Sequence, residues 1–276
     1  MTPLGHLPFT ILRVPFTILR PGGTGRFVFF CDHASNYVPP ELNDLGLRAE
    51  ELQRHIAWDI GAAGVTEALS ETFDSPAILC GTSRLVVDCN RQPDAADLIP
   101  AVSDGTLIEA NAHLTAADKA ERIARWFRPY HDAVETVLLE REARGVETIA
   151  VSVHSMTPKL GNQYRPWQIS LSSHVDRSLA EPLIAALRRP GDVVVGDNEP
   201  YLLNPGLDYS TPNHALRRGL PHCQVEFRQD EIGNALGQRL WAARFARALI
   251  DAHLFKVQGQ ARKHTIVDHQ PKLTNA

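Results

Sequence analysis

Cysteine is scarce in this chain. It occurs four times in 276 residues, as Cys31, Cys80, Cys89 and Cys223, with no paired spacing, which argues against a disulfide framework. Three of the four lie within apolar strand-like runs or at their ends, as buried free thiols in a reducing compartment do. Excess positive charge is also missing. The formal net charge of -4 leaves no footprint for a polyanion, so nucleic acid is not an expected partner. No apolar run approaches the length of a membrane span. Arg13 and Arg20 interrupt the apolar patches near the N-terminus, and no small-residue cleavage site follows them. A cytoplasmic protein with no membrane partner is the expectation. P-loop, GxGxxG and GxSxG motifs are absent as well, which disfavours nucleotide binding and serine-hydrolase chemistry.

What is present is ordinary globular composition, 43% apolar and 22% charged. The length allows one large α/β domain or two small ones. No linker stands out, so a single domain over residues 26–255 is expected, with an N-terminal arm at 1–25 and a polar tail at 256–276. The hexapeptide PFTILR occurs twice, at residues 8–13 and 15–20. A tandem copy this short is no structural repeat unit and is read as part of the arm.

Along the domain, strand-like and helix-like segments alternate. Residues 27–31 (FVFFC) form a continuous apolar run of high β propensity. Residues 50–71 have apolar side chains near helical spacing, with Asp59 inside. Strands are expected at 77–80, 85–87, 148–153, 169–171, 193–195 and 224–227. Thr115 and Asp118 resemble a capping box opening a helix that Pro129 should kink and Gly145 should end. Further helices are expected at 176–189 and from 232 to about 254. Residues 92–111 and 204–213 read as long loops. This alternation implies an α/β fold with a mostly parallel, mixed sheet covered on both faces.

Polar groups sit where the apolar runs stop: Asp32 and His33, Arg84, Asp88, Asn90 and Arg91, His154, and Glu226. In open α/β sheets the carboxyl ends of the strands are where ligands bind. Two histidines and a carboxylate make a catalytic zinc set that leaves one position for water. A further carboxylate is needed to take the proton of that water. A guanidinium can hold an anionic substrate through two parallel hydrogen bonds. His33, His154, Asp59, Glu226 and Arg91 can fill these roles. The residues alone also allow Glu226 to face solvent, Asp59 to be a helix cap, and Arg84 and Arg91 to pair with Asp88 or Asp94.

The order of a histidine at a strand end, Asp88-Cys89-Asn90-Arg91, His154-Ser155 and Glu226-Phe227-Arg228 resembles the N-formylglutamate amidohydrolase family. That family is similar to the zinc carboxypeptidase and aspartoacylase group. The resemblance spans roughly residues 27–253. It implies a three-layer α/β/α sandwich of the zinc-exopeptidase, phosphorylase/hydrolase-like kind. It also implies one zinc ion on His33 and His154, Glu226 as general base, and Asn90-Arg91 gripping a substrate carboxylate. Arg84 is expected to help stabilise the oxyanion, and Ser155 and Arg228 to contact substrate. One departure stands out. The His-x-x-Glu of the carboxypeptidase group is here His33-Ala34-Ser35-Asn36, so either Asp59 supplies the third ligand or the metal is weakly held. The activity implied is hydrolysis of the amide of an N-formylated or other N-acylated acidic amino acid, as in histidine degradation. The alternatives are a metal-free binder of an acidic small molecule and a hydrolase of another N-acyl amino acid or peptide fragment. Oligomeric state is not legible.

Overall fold

The computed structural model describes residues 15–266, with side chains through residue 252. Its centre is a seven-stranded mixed sheet. The strands are β1 (Phe16–Leu19), β2 (Phe27–Cys31), β3 (Ala77–Cys80), β4 (Ile149–Met156), β5 (Ile169–Ser172), β6 (Val195–Asp197) and β7 (His222–Arg228). Their spatial order is β1-β3-β2-β4-β7-β5-β6. Strands β3, β2, β4 and β7 are mutually parallel. β1 joins β3 antiparallel, and the parallel β5-β6 pair joins β7 antiparallel.

Every residue of β2 is buried, and their alternation shows why the run has no polar member. Phe27, Phe29 and Cys31 enter one core, with α1 (Ala62–Phe73), α3 (Ala180–Arg188) and the start of α4 (Ala235–Ile266). Val28 and Phe30 enter the other, against α2 (Arg128–Ala143). A sheet buried on both faces requires a continuous apolar strand of this kind. The result is the expected three-layer α/β/α sandwich. Among the described residues, no helix is long and apolar enough to cross a membrane.

Several local expectations change. The second PFTILR copy is no arm: its Phe16–Leu19 segment is the edge strand β1, with Phe16 and Ile18 packed against the core. The first copy lies outside the described residues. The tail is also shorter than expected, since α4 continues to Ile266. The apolar stretch Leu85–Val87 is a buried turn, not a strand. Ser83 competes for its backbone: the hydroxyl accepts from Leu85 N at 3.2 Å and the carbonyl from Val86 N at 2.9 Å. The helix expected over 50–71 is broken between Ala49–Leu52 and α1. The Thr115–Asp118 capping box forms. Pro129 lies inside the continuous helical run 116–143, directly after a π-helical turn at Ile123–Phe127, a local widening that accommodates its missing N–H.

Candidate active site

Because β2, β4 and β7 run parallel, their carboxyl ends share one rim of the sheet. His33 lies two residues beyond β2, His154 near the end of β4, and Glu226 near the end of β7. The register pairs Glu226 with His154 directly, so the two side chains emerge on the same face. Asp59 arrives from the break before α1. Its backbone N–H is bound to the His33 carbonyl at 2.9 Å, which ties the loop to the end of β2. Gly61, at φ +84°, turns the chain into α1 and presses against the Ile232 carbonyl. Asp59 therefore does not cap the helix; its carboxylate enters the site.

The donors of His33, Asp59 and His154 converge, all within 4.8 Å of one another. Asp59 Oδ2 is 2.9 Å from His154 Nδ1 and 3.4 Å from His33 Nδ1, and it accepts the Ser155 N–H at 3.1 Å. Both rings thus present Nδ1 to the same point, and a carboxylate holds each Nε2 from behind. Asp88 Oδ1 is 2.7 Å from His33 Nε2. Asp32 Oδ2 is 3.3 Å from His154 Nε2, with Ser152 Oγ at 2.9 Å from the same nitrogen. Asp32 is itself held by Tyr130 Oη at 2.7 Å and Ser210 Oγ at 2.5 Å. Asn36, the other candidate third ligand, is turned away and donates to the Leu52 carbonyl at 2.9 Å.

The donor set fits a divalent cation. Three buried carboxylates, Asp32, Asp59 and Asp88, surround the two imidazoles, and among the described residues Arg84 is the only guanidinium paired with them, donating to Asp88 at 2.7 Å and lying 3.5 Å from Asp59. The two remaining negative charges require either two imidazolium protons or a 2+ ion. Burial and Arg84 push His33 down, but Asp88 and Asp59 outweigh them and raise it above its ordinary value. Burial likewise pushes His154 down, but the Asp32 and Asp59 hydrogen bonds outweigh it and raise His154 well above its ordinary value. Against burial, these histidines hold Asp59 well below the usual carboxylate range, and His154 and its neighbours hold Asp32 at about 2. Imidazoles oriented through the second nitrogen by a carboxylate are the usual support of a metal ligand.

Glu226 is buried, not solvent-facing. Burial pushes its carboxyl up to about 7, and it accepts a hydrogen bond from Gln224 Nε2 at 3.3 Å. The triad and Glu226 line a cavity of about 360 Å³ together with Arg84, Asn90, Arg91, Ser155, Arg165 and Tyr201, among others. The Ser155 hydroxyl is buried and, among the described residues, has no hydrogen-bond partner. Asn90 spends its side-chain oxygen on the Tyr209 and Ser210 N–H groups. Arg91 is engaged by Asp97 at 2.8 Å and Asp208 at 3.6 Å. Arg228 is outside the lining: Asp230 and Glu231 take its guanidinium, which also donates to the Arg165 and Pro166 carbonyls. Sequence reasoning saw Asp32 and Asp88 as strand-end polar groups but not as the partners of His154 and His33. It missed Arg165 and Tyr201 altogether. A larger groove of about 840 Å³ between α3 and α4 contains none of these groups.

A family model described as N-formylglutamate amidohydrolase matches residues 25–233. Among solved structures, the gene product Atu2144 from Agrobacterium tumefaciens is 31% identical. The match covers 89% of this chain and 96% of that one, with a TM-score of 0.85. An N-formylglutamate amidohydrolase from Ralstonia eutropha JMP134 is 19% identical, with 89% and 99% of the two chains covered and a TM-score of 0.62, a likeness of fold. No curated protein matches the chain.

Proposed function

Since this chain belongs to the N-formylglutamate amidohydrolase family and is a hydrolase acting on a linear amide, we propose that it is zinc-dependent and cleaves N-formylglutamate or a close N-acylated acidic amino acid. The observation that carries this reading is the convergence of His33, Asp59 and His154 beside a buried Glu226. The two imidazoles and the Asp59 carboxylate would hold the ion. Bound there, a zinc ion supplies Lewis acidity and lowers the pKa of a coordinated water toward neutrality.

The chain's own residues do the rest. Asp88 and Asp32 keep protons on the Nε2 atoms, so both Nδ1 lone pairs stay available. Glu226, raised to about 7 by burial, is suited to accept a proton from water near neutral pH and to return it to the departing amine. Arg84 is fixed by Asp88 at the cavity wall, and its Nη1, 3.5 Å from Asp59, is placed to stabilise negative charge developing on the amide oxygen. Ser155 brings an unpaired hydroxyl to the same wall.

The test is Glu226→Gln, assayed for release of formate from N-formyl-L-glutamate in zinc-supplemented buffer. Turnover should fall about 10²- to 10⁴-fold while stoichiometric zinc binding is retained. A variant with full activity would remove Glu226 from the mechanism. Wild-type protein that hydrolyses no member of an N-acyl amino acid panel would end the proposal.

A further inference from the structure

The cavity is lined by three arginines that differ in one respect. Arg84 is offset by Asp88 and Asp59, and Arg91 by Asp97 and Asp208. Arg165 is buried to 95% and, among the described residues, forms no ion pair with a carboxylate. Its guanidinium donates to Tyr201 Oη at 2.7 Å, reaches the Thr157 carbonyl only at 3.5 Å, and lies over the Tyr201 ring. A buried cation left with neutral partners is costly unless an anion completes it.

Its surroundings are built to hold it there. The Arg165 N–H closes on the Pro158 carbonyl at 2.9 Å, and Arg228, itself clamped by Asp230 and Glu231, donates to the Arg165 carbonyl at 3.3 Å. On the facing loop, Ser172 Oγ fixes the Tyr201 carbonyl at 2.7 Å. The phenol oxygen accepts from Arg165, which leaves its own O–H as a donor at the cavity wall.

We infer that Arg165 and Tyr201 form the end of the site that holds a substrate carboxylate, in place of Asn90-Arg91, whose guanidinium is already paired with Asp97 and Asp208. Arg228 is then a positioning residue for Arg165. The inference rests on the proposed function for the identity of the substrate, but not for the anion site itself. One unbalanced guanidinium corresponds to one carboxylate held at this end. Replacing that carboxylate by a carboxamide should cost binding only while Arg165 is present.

The experiment measures binding of glutarate, L-glutamate and their monoamides to the full chain by calorimetry, alongside kinetics with N-formyl-L-glutamate. Arg165→Met should weaken glutarate binding about 10- to 100-fold, as loss of hydrogen bonds to a charged group does, and should raise KM more than it lowers kcat. Tyr201→Phe should weaken it less, and Arg165→Lys should restore part of it. If Arg165→Met does not fold, the Tyr201→Phe and Arg165→Lys variants decide the matter. Unchanged glutarate affinity in these variants, or a comparable loss in Arg91→Met alone, would overturn the inference. Failure of the two readings is distinguishable. Glutarate bound through Arg165 by a protein that hydrolyses nothing would sink the proposed function and leave the anion site standing. Hydrolysis of N-formyl-L-glutamate with an unaltered KM in Arg165→Met would do the reverse.

Discussion

Replacing Asp32 by Asn tests whether the carboxylate behind His154 controls metal affinity. The substitution conserves volume and removes one charge. Asp32 is 1% exposed, so water cannot make up the loss. In the wild type, Ser152 Oγ donates to Asp32 and stands 2.9 Å from His154 Nε2, so Nε2 carries a proton and Nδ1 faces Asp59. An amide NH₂ at Oδ2 would oppose that proton and favour the other tautomer or a turned ring. Outer ligand partners of this kind are worth about 10- to 100-fold in metal affinity, or about 1.4–2.7 kcal/mol. Fold stability should fall too, because Tyr130 and Ser210 exchange a charged acceptor for a neutral one, about 1 kcal/mol each. Zinc affinity is read by competition with a chromophoric chelator, and stability by urea unfolding of the metal-free protein. A folded Asp32→Asn protein with wild-type zinc affinity would refute the assignment of Asp32 as the support of His154.

Two further predictions concern the loop and the second histidine pair. A Cβ at Gly61 would lie 2.2 Å from the Ile232 carbonyl oxygen at a φ of +84°, so Gly61→Ala should cost on the order of 1–3 kcal/mol and should also weaken zinc binding by shifting Asp59; a wild-type melting curve would contradict it. His131 and His214, stacked behind the site and 3.0 Å apart, are held neutral chiefly by burial, at about 3 and about 4. The unfolded chain takes up protons on both below pH about 6.5, while the native state does not. Their contribution is therefore intact above that pH and is lost as pH falls toward 4, by about 3 kcal/mol in sum at pH 5.5. Urea unfolding from pH 7.5 to 5 should show a flatter acid limb in the His131→Gln/His214→Gln double variant, and an identical limb would contradict the reasoning.

The sheet's centre was legible in sequence because its strands are buried on both faces. FVFFC has no polar member to confuse its period, and its abrupt stop at Asp32-His33 marks the rim. The same reasoning located His154 and Glu226, since parallel strands bring their carboxyl ends together. Asp59 was harder: a carboxylate between Trp58 and Ile60 fits a helix cap as well as a ligand, and the apolar spacing of Leu52, Ile56 and Ile60 runs through the break without a signal. Leu85–Val87 was misread because a buried turn and a buried strand have the same apolar composition, and only the Ser83 hydroxyl separates them. Edge strand β1 was hidden by the Pro15 that precedes it and by the duplicated hexapeptide. Which carboxylate supports which imidazole, and which arginine lacks a counter-charge, depend on contacts across 36 to 122 positions of the chain. Local pattern has no access to these. Arg165 was overlooked for that reason, while Arg91 was favoured because it belongs to a recognisable motif.

The most direct measurement is an anomalous-difference map from zinc-loaded crystals at the zinc edge. A single strong peak bounded by His33 Nδ1, Asp59 Oδ2 and His154 Nδ1 is the predicted result. A peak at any other donor set, or none at a zinc concentration that supports turnover, would contradict it.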